Sequence, residues 1–396
     1  MIPRRTVICL GLSQLVCWGI SYYLIGEFGE SIAADLGWAR TFVYGGFSIA
    51  LIVMGVSSPM AGRMIDRFGG RPVMALGSIL SVLGCAGIAL SYDRIAYYAA
   101  WICLGLAMRL TLYDAAFAAL VRIGGPAARR PISHITLFGG LASTTFWPIG
   151  QALASHFTWR GALLAYAGFA LLTLPLHLAI PDAQHPTPVG HEAVPKCSSP
   201  LARSREERVL AGSLYCLIVT LANFLNSGMS AHMIAMLTGL GLGASMAVWV
   251  AALRGIGQSL ARFLEVLFGG RLHALDLNLI AAVVLPFSFA AGPFGGQFLP
   301  AAVAFAFFYG AGNGIVTITR GTLPLVLFEH STYGALVGQL LMPSFLLSAV
   351  APVTYAFVIE HAGVRGAFYL SVALAAIALG AGFGLKMRFG KRSRAS

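Results

Sequence analysis

Long apolar segments separated by short polar connections are the dominant pattern along the chain. Twelve such segments occur, at residues 6–27, 41–62, 72–92, 95–122, 132–156, 161–180, 209–231, 243–267, 275–296, 299–328, 333–359 and 366–387. A helix needs about 20 apolar residues to cross the hydrocarbon core of a bilayer, and every segment reaches this length. The pattern predicts an all-α membrane protein with twelve transmembrane helices.

Composition agrees with this prediction. Hydrophobic residues make up 58% and charged residues 10% of the 396 positions, with a mean hydropathy of +0.81. A soluble domain has about 25% charged residues, so an ordinary water-facing surface is excluded. Twelve spans also use most of the chain, which leaves no room for a large soluble domain.

The net charge of +12 follows the predicted topology. With the N-terminus in the cytoplasm, 19 of the 26 Lys and Arg residues fall in cytoplasmic segments, whereas Arg40, Arg94, Arg160 and Arg365 fall outside. By the positive-inside rule, both termini are expected in the cytoplasm, in a cell membrane such as the bacterial inner membrane. The basic charge therefore gives no reason to expect nucleic acid as a partner.

Two features predict a division into halves. A polar stretch rich in Pro and Ser separates the sixth and seventh segments, which predicts a linker over residues 182–208 between six-helix halves at 1–181 and 209–396. The sequence His156–Ala162 is also matched by His361–Ala367, and Phe68–Arg71 by Phe268–Arg271. Two matches at similar offsets favour pseudo-repeat halves, with a solute site between them near the membrane midplane.

The connection between the second and third segments carries a distinctive motif. It reads Gly-Arg-Met-Ile-Asp-Arg-Phe-Gly-Gly-Arg over residues 62–71. This resembles the loop signature of the major facilitator superfamily, which runs Gly, three residues, Asp, Arg, one residue, Gly, and two positions that are commonly basic. Gly70 occupies the first of those basic positions here. The resemblance implies the major facilitator fold and transport by alternating access.

The residues of this loop suit a conformational latch. Gly62 permits close helix contact, and Gly69 and Gly70 permit positive φ in a tight turn. An acid beside basic residues can form ion pairs that hold one conformation. The resemblance therefore implies a latch made of six residues: Gly62, Asp66, Arg67, Gly69, Arg71 and, at the end of the fourth segment, Arg122.

A narrower resemblance concerns the monocarboxylate and oxalate/formate branch of the superfamily. The stretch Leu36–Thr41 is similar to that branch, and Arg254 in the eighth segment resembles its carboxylate-binding arginine. Two features depart from it. Val250 stands where the monocarboxylate carriers have an acid, and the lysine of the oxalate carrier's eleventh helix is missing.

Charged residues at membrane depth are costly and mark candidate functional positions. They are Arg109, Asp114, Arg254 and Arg320, so three cations accompany one anion. Because guanidinium binds a carboxylate through two hydrogen bonds, a surplus of arginine favours an anionic solute, with Arg254 and Arg109 as the main candidates. Alternatively, these arginines pair with Asp114, Glu329 or backbone carbonyls and lock helices together.

Asp114 is the candidate proton-coupling residue, because desolvation favours the neutral form of a carboxyl group. It follows Arg109 by five residues, about 140° around an ideal helix, so the two are expected on different faces. A structural pairing of Asp114 with an arginine of another helix is the alternative. Polar and aromatic residues that a solute cavity can use, or that simply bond neighbouring helices, are Gln14, Trp18, Tyr22, Asn223 and Gln339.

The function predicted from these features is secondary active transport of a small organic anion, coupled to protons, by a monomer. The alternative is efflux of a toxic compound, either a drug or a metalloid such as arsenite, for which Cys17 and Cys216 offer thiolates in repeat-equivalent segments. A membrane enzyme or receptor is disfavoured, because the sequence has no clustered metal ligands or catalytic set at membrane depth. No GxxxxGK[ST] motif, metal site or cofactor site is predicted.

Overall fold

The computed structural model describes residues 2–124, 128–182, 201–268, 272–328 and 333–393, so residues 183–200 of the predicted linker lie outside the described part. This part is helical throughout. Its α-helices are α1 Arg4–Cys17, α2 Leu24–Leu36, α3 Arg40–Val56, α4 Ser58–Phe68, α5 Gly70–Ala89, α6 Arg94–Thr111, α7 Tyr113–Gly124, α8 Arg129–Gly140, α9 Ala142–Leu178, α10 Arg205–Gly239, α11 Ala244–Phe268, α12 Ala274–Ala291, α13 Leu299–Leu327 and α14 Tyr333–Ser393.

Eight helical stretches in the described residues are long and apolar enough to cross a membrane, or nine if the bent pair α3 and α4 counts as one. Two of these stretches, His134–Leu178 and Pro343–Gly390, contain 45 and 48 residues. Each has about twice the length of a single crossing. The multi-pass membrane architecture is therefore established, whereas the number twelve stays a prediction.

Both overlong helices contain one residue with non-helical backbone angles. In α9 this residue is Thr158, at φ 60° and ψ 172°, and in α14 it is Gly363, at φ 68° and ψ 178°. The two positions are 205 residues apart and occupy the same place in the His156–Ala162 and His361–Ala367 match. A positive φ in a β-branched residue such as Thr158 is uncommon, so a shared break at this place supports the predicted duplication.

The first helical stretch is interrupted by a wider turn. Residues Trp18–Tyr22 form a π-helical turn between α1 and α2. The π-helix occurs mostly as single turns inside α-helices and is frequent at functional sites. Here the turn carries two of the predicted cavity residues, Trp18 and Tyr22.

Helices α6 and α7 are separated by a break at Leu112, whose backbone is extended at φ −77° and ψ −175°. A helix end leaves carbonyl groups without helical partners. One of them, on Thr111, accepts a 2.7 Å hydrogen bond from the buried Gln14 amide. Asp114 lies in the first turn of α7, where a negative charge stabilises the helix dipole. These two side chains stabilise the ends of α6 and α7 at this break.

The helices before residue 183 and those after residue 200 meet along α2 and α10. Asn226 bonds Tyr22 across this boundary, and Gly26 lies so close to Ser230 that a Cβ atom would overlap the Ser230 carbonyl oxygen. The second pair lies four residues after the first on both helices, so α2 and α10 run parallel. Their last residues, Leu36 and Gly239, define the distal end of the bundle.

A second contact closes the distal side. The ring of Tyr44 in α3 lies 4.0 Å from that of His232 in α10, and His232 Nε2 lies 2.7 Å from the Pro352 carbonyl oxygen in α14. Trp18 and Tyr22 come before Gly26 in the sequence, and Asn226 comes before Ser230, so all three lie further from the distal end than these contacts. These contacts between the two groups of helices therefore lie between those residues and the distal end.

Candidate solute site

Two adjacent cavities lie at the boundary between the two groups of helices. The first has about 680 Å³ of empty volume and the second about 580 Å³. Five residues line both: Trp18, Tyr113, Asn223, Asn226 and Arg320. Helices before residue 183 and helices after residue 200 both contribute walls to these cavities.

The first cavity holds the predicted pair of opposite charges. Arg109 Nη1 donates to Asp114 Oδ2 at 2.5 Å, and both side chains line the cavity together with Arg320. Our expectation that Arg109 and Asp114 lie on different faces is wrong, because the break at Leu112 ends the regular helical turn between them. Arg109 is 13% exposed and Asp114 51%, so the carboxylate faces the open space.

Arg254 has no acidic partner among the described residues. It is fully buried, and its only hydrogen bond there runs from Nη2 to Asn226 Oδ1 at 2.6 Å. Its guanidinium lies 5.3 Å from the ring centre of Tyr23 and 5.1 Å from that of Tyr309, at cation–π distance. Nε and Nη1 have no hydrogen-bond partner in this conformation. The aromatic faces offset part of the cost of burial but leave the positive charge unneutralised.

Asn226 connects this buried arginine to the cavities. Its Oδ1 accepts from Arg254 and also, at 3.0 Å, from Asn313 Nδ2, while its own Nδ2 lies 3.5 Å from the Tyr22 hydroxyl. Asn226 lines both cavities, whereas Arg254 is not among the lining residues of either. A solute in the cavities therefore meets Arg254 through Asn226, unless that amide rotates away.

The second cavity contains a cation that sequence reasoning missed. Arg262 is 3% exposed, and its Nη1 donates to the Thr136 carbonyl oxygen at 2.6 Å and to the Tyr113 hydroxyl at 3.4 Å. Arg262 lies near the end of the predicted eighth segment, 243–267, and was not among the charged residues predicted at membrane depth. The spacing of Arg254, Gln258 and Arg262 at i, i+4 and i+8 was the signal, since it puts all three near one helix face. Gln258 also lines this cavity, and its Oε1 is buried without a partner.

Some of the other predicted cavity residues line a cavity, and others do not. Trp18, Tyr22 and Asn223 line the first cavity, and Asn223 Nδ2 donates to Ser344 Oγ at 3.1 Å. Gln14 lines neither cavity and instead bonds the end of α6, as described above. The side chain of Gln339 lies outside the described part of the structure, as does Glu329.

The predicted latch lies between α4 and α5, and its glycines act differently from one another. Gly69 has φ +86°, which favours glycine, whereas Gly70 begins α5 and abuts Ala119 so closely that a Cβ would overlap it. Gly70 therefore provides close packing and not a positive φ. The proposed close contact at Gly62 is wrong, because a Cβ there would meet nothing within 4 Å.

The basic residues of the latch hold backbone carbonyl groups. Arg122 Nη1 donates to the Ile65 carbonyl oxygen at 2.6 Å, and Arg71 Nε to that of Ile180 at 2.8 Å. Arg67 lies 5.1 Å from the ring centre of Phe68. The Asp66 side chain is outside the described part. The loop is thus tied to α7 and to the end of α9, and its latch role stays a prediction.

The two cysteines considered for a metalloid lie outside both cavities. Cys17 is fully buried near the end of α1, and Cys216 lines a separate groove on α10 with Arg205 and Arg208. No group of three metal-binding side chains occurs among the described residues. A thiolate site for a soft ion therefore receives no support from the described cavities.

Together, the multi-pass helical fold and a polar, cation-lined cavity between two groups of helices define a membrane transporter. The family model of the Major Facilitator Superfamily matches residues 10–292. The chain therefore belongs to the Major Facilitator Superfamily.

Individual relatives agree with this assignment. The chain is 32% identical over 127 residues to monocarboxylate transporter 1 of Mus musculus, covering 31% of this chain and 25% of the relative. It is 32% identical over 161 residues to monocarboxylate transporter 13 of Bos taurus, covering 38% and 35%. The matches thus span about a quarter to a third of those relatives. A solved structure of the nucleoside transporter NupG has a TM-score of 0.72 at 14% identity, covering 97% of this chain and 99% of the neighbour, which shows the shared fold.

Proposed function

We propose that this protein is a secondary transporter that moves a small organic anion by alternating access, coupled to protons. The observation that carries the proposal is the surplus of arginine around the cavities. Arg109, Arg262 and Arg320 line them and Arg254 lies behind Asn226, whereas Asp114 is the acid among the described lining residues. An anionic solute supplies the missing countercharge with charge-assisted hydrogen bonds. The similarity to monocarboxylate transporters favours a monocarboxylate.

The Arg109 and Asp114 pair provides a route to proton coupling. While Asp114 is ionised, it occupies the donor face of Arg109 in the first cavity. Protonation of Asp114 weakens this pair and releases Arg109 to bind the solute carboxylate. The half-exposed position of Asp114 gives it access to protons from the cavity. Proton and anion would then bind together, as symport requires.

The proposed architecture completes this function. Twelve crossings form two six-helix halves, 1–181 and 209–396, joined by the linker predicted at 182–208, although α10 already begins at Arg205 and so takes in the last residues of that linker. The halves rock about the cavities, with both termini in the cytoplasm of a bacterial cell and the protein acting as a monomer in the inner membrane. The charge distribution and the paired breaks at Thr158 and Gly363 support this arrangement.

Transport by purified protein in proteoliposomes tests the proposal. We expect uptake of labelled lactate or pyruvate that increases when an inward proton gradient is imposed. Uridine, a neutral solute of the class named for the structural neighbour, serves as the comparison, and protein-free vesicles give the background. Uptake of uridine with no uptake of any carboxylate would contradict the proposal.

A further inference from the structure

Gln14 is a buried polar residue that the proposed solute site does not use directly. It lies in α1, is fully buried and lines neither cavity. Its Nε2 donates to the carbonyl oxygen of Thr111, the last residue of α6, at 2.7 Å. Thr111 is itself buried, at 1% exposure. Gln14 therefore supplies a hydrogen-bond donor at a helix end that packing has closed to solvent.

The backbone around Leu112 shows why this donor is needed. In a continuous α-helix the N–H group of Ala115 would donate to the Thr111 carbonyl oxygen, four residues earlier. Here it donates to the Leu112 carbonyl oxygen at 3.0 Å, and the N–H group of Ala116 donates to the same oxygen at 3.2 Å. The Thr111 carbonyl loses its helical donor, and Gln14 replaces it. A buried carbonyl with no donor is destabilising, so the break is stable only while Gln14 is in place.

The opposite side of the break is packed against α5. A Cβ added to Gly77 would lie 2.5 Å from Thr111 Cγ2 and 2.8 Å from Leu110 Cβ. The two helices can approach this closely because glycine has no side chain. The end of α6 is thus held between Gly77 on one side and Gln14 on the other.

The break in turn determines where two charges lie. Arg109 and Asp114 would be about 140° apart on a continuous helix, whereas here Arg109 Nη1 donates to Asp114 Oδ2 at 2.5 Å. The other charged or titratable residues that line this cavity are Tyr22, Tyr113 and Arg320. None of these three is hydrogen-bonded to Gln14 in the described part of the chain. The influence of Gln14 on the charge pair therefore passes through the backbone at Leu112.

We propose that Gln14 is a positioning residue, which keeps α6 and α7 broken at Leu112 and so holds Arg109 against Asp114. A role of Gln14 in coupling anion binding to protons rests on the proposed function, because that coupling uses this pair. The geometric part of the proposal, that the break and the pair depend on Gln14, does not rest on it.

Structures of purified wild type and Gln14→Met by electron cryomicroscopy test the geometric part without any solute. Methionine has a similar length but no donor. We expect the Ala115 N–H group to return to the Thr111 carbonyl, α6 and α7 to become continuous, and Arg109 to separate from Asp114. If Arg109 stays bonded to Asp114 in the variant, the proposal is overturned. Gln14→Asn, which is one methylene too short to reach Thr111, should give the same result if Gln14→Met does not fold.

Titration calorimetry at several pH values tests the coupling part. If one proton binds with each carboxylate, the affinity of wild type should rise about tenfold for each unit by which the pH falls. Gln14→Met should have a clearly smaller pH dependence. A purely structural role would lower the melting temperature but leave the pH dependence unchanged. The matched control is Ser13→Ala, because Ser13 is equally buried on α1 but bonds only the Leu10 carbonyl of its own helix.

The outcomes separate this proposal from the proposed function. A wild-type pH dependence in Gln14→Met overturns the coupling role of Gln14, and so does an equal loss in Ser13→Ala. If wild-type protein binds no carboxylate at any pH, the proposed function fails. The comparison of the two structures then still decides whether Gln14 holds the break and the charge pair.

Discussion

Arg109 and Arg254 show two ways of holding a guanidinium group inside one membrane protein. Arg109, on the N-terminal side of the cavities, has an acid within its own chain segment and forms an ion pair with it at 2.5 Å. Arg254, on the C-terminal side, is fully buried with one amide oxygen and two tyrosine rings around it. One charge is neutralised in this conformation, and the other is not.

The difference suggests that Arg109 and Arg254, on the N-terminal and C-terminal sides of the cavities, have different roles. A buried charge without a countercharge is costly, which marks Arg254 as a candidate functional residue. The role we propose for Arg254 is affinity for an anionic solute. Arg109, in contrast, is available to the solute only after Asp114 gains a proton. The C-terminal side then supplies affinity, and the N-terminal side makes affinity depend on protons.

The largest expected effect comes from removing the unneutralised charge. Arg254→Ala should weaken carboxylate binding by about 2–5 kcal/mol, because truncating one member of a buried charge pair costs that much. Titration calorimetry of the purified variant with the carboxylate found in the transport screen measures the loss. Arg205→Ala, an exposed arginine on α10 outside both cavities, is the control and should bind like wild type.

A conservative change at the same position separates charge from shape. Arg254→Lys keeps the positive charge but loses the planar fork, so binding should weaken by about 1–3 kcal/mol, less than in the alanine variant. Unchanged affinity in Arg254→Ala would mean that the charge serves packing alone. The comparison between the two arginines would then lose its functional meaning.

The second expected effect comes from giving Arg254 an acidic partner, as Arg109 has. Asn226→Asp puts a carboxylate in place of the amide oxygen that accepts from Arg254, with nearly the same shape. The new ion pair should compete with the solute and weaken binding by about 1–3 kcal/mol. Asn223→Asp is the matched control, since Asn223 lines both cavities but bonds Ser344. Equal weakening in both variants would point to a general effect of negative charge in the cavity.

A third, smaller effect on affinity comes from removing the acidic partner of Arg109, so that Arg109, like Arg254, has none. Asp114→Asn removes the acidic partner of Arg109, so carboxylate binding should become independent of pH and be at least as tight as in wild type. Uptake driven by a proton gradient should be lost, while exchange at equal pH survives. Binding titrations at several pH values, together with both transport assays, check these outcomes. Retained gradient stimulation would assign coupling to another group.

Sequence patterns correctly predicted an all-helical membrane protein, because membrane helices are recognised from length and hydropathy, whereas the number of twelve helices stays a prediction. The four charged residues found at membrane depth also proved informative, since three of them, Arg109, Asp114 and Arg320, line the first cavity. The pairing of Arg109 with Asp114 could not be predicted from helical periodicity. It depends on the break at Leu112, which is stabilised by a side chain from α1, 97 residues away.

Burial was the other property that periodicity could not provide. Arg262 lies near the end of the predicted eighth segment, where a charge normally faces water or lipid headgroups. Its burial results from packing against another helix, since Arg262 donates to the Thr136 carbonyl oxygen on α8. Such contacts between distant segments are set by packing, which a single sequence does not show.

The smallest expected effect on affinity comes from the predicted latch, which lies outside both cavities. Asp66→Asn keeps the size of the side chain and removes its charge, and Arg122 holds the adjacent Ile65 carbonyl at 2.6 Å. If Asp66 helps to hold one conformation, its neutralisation should change the rate of alternating access but not the cavity. Carboxylate affinity should therefore stay within the error of calorimetry, while the turnover number in proteoliposomes falls.

The control is Arg63→Gln, which changes an exposed charge in the same helix and should leave the turnover number unchanged. Wild-type turnover in Asp66→Asn would remove the latch role, and a loss of affinity equal to that in Arg254→Ala would show that the loop and the cavity are not separable.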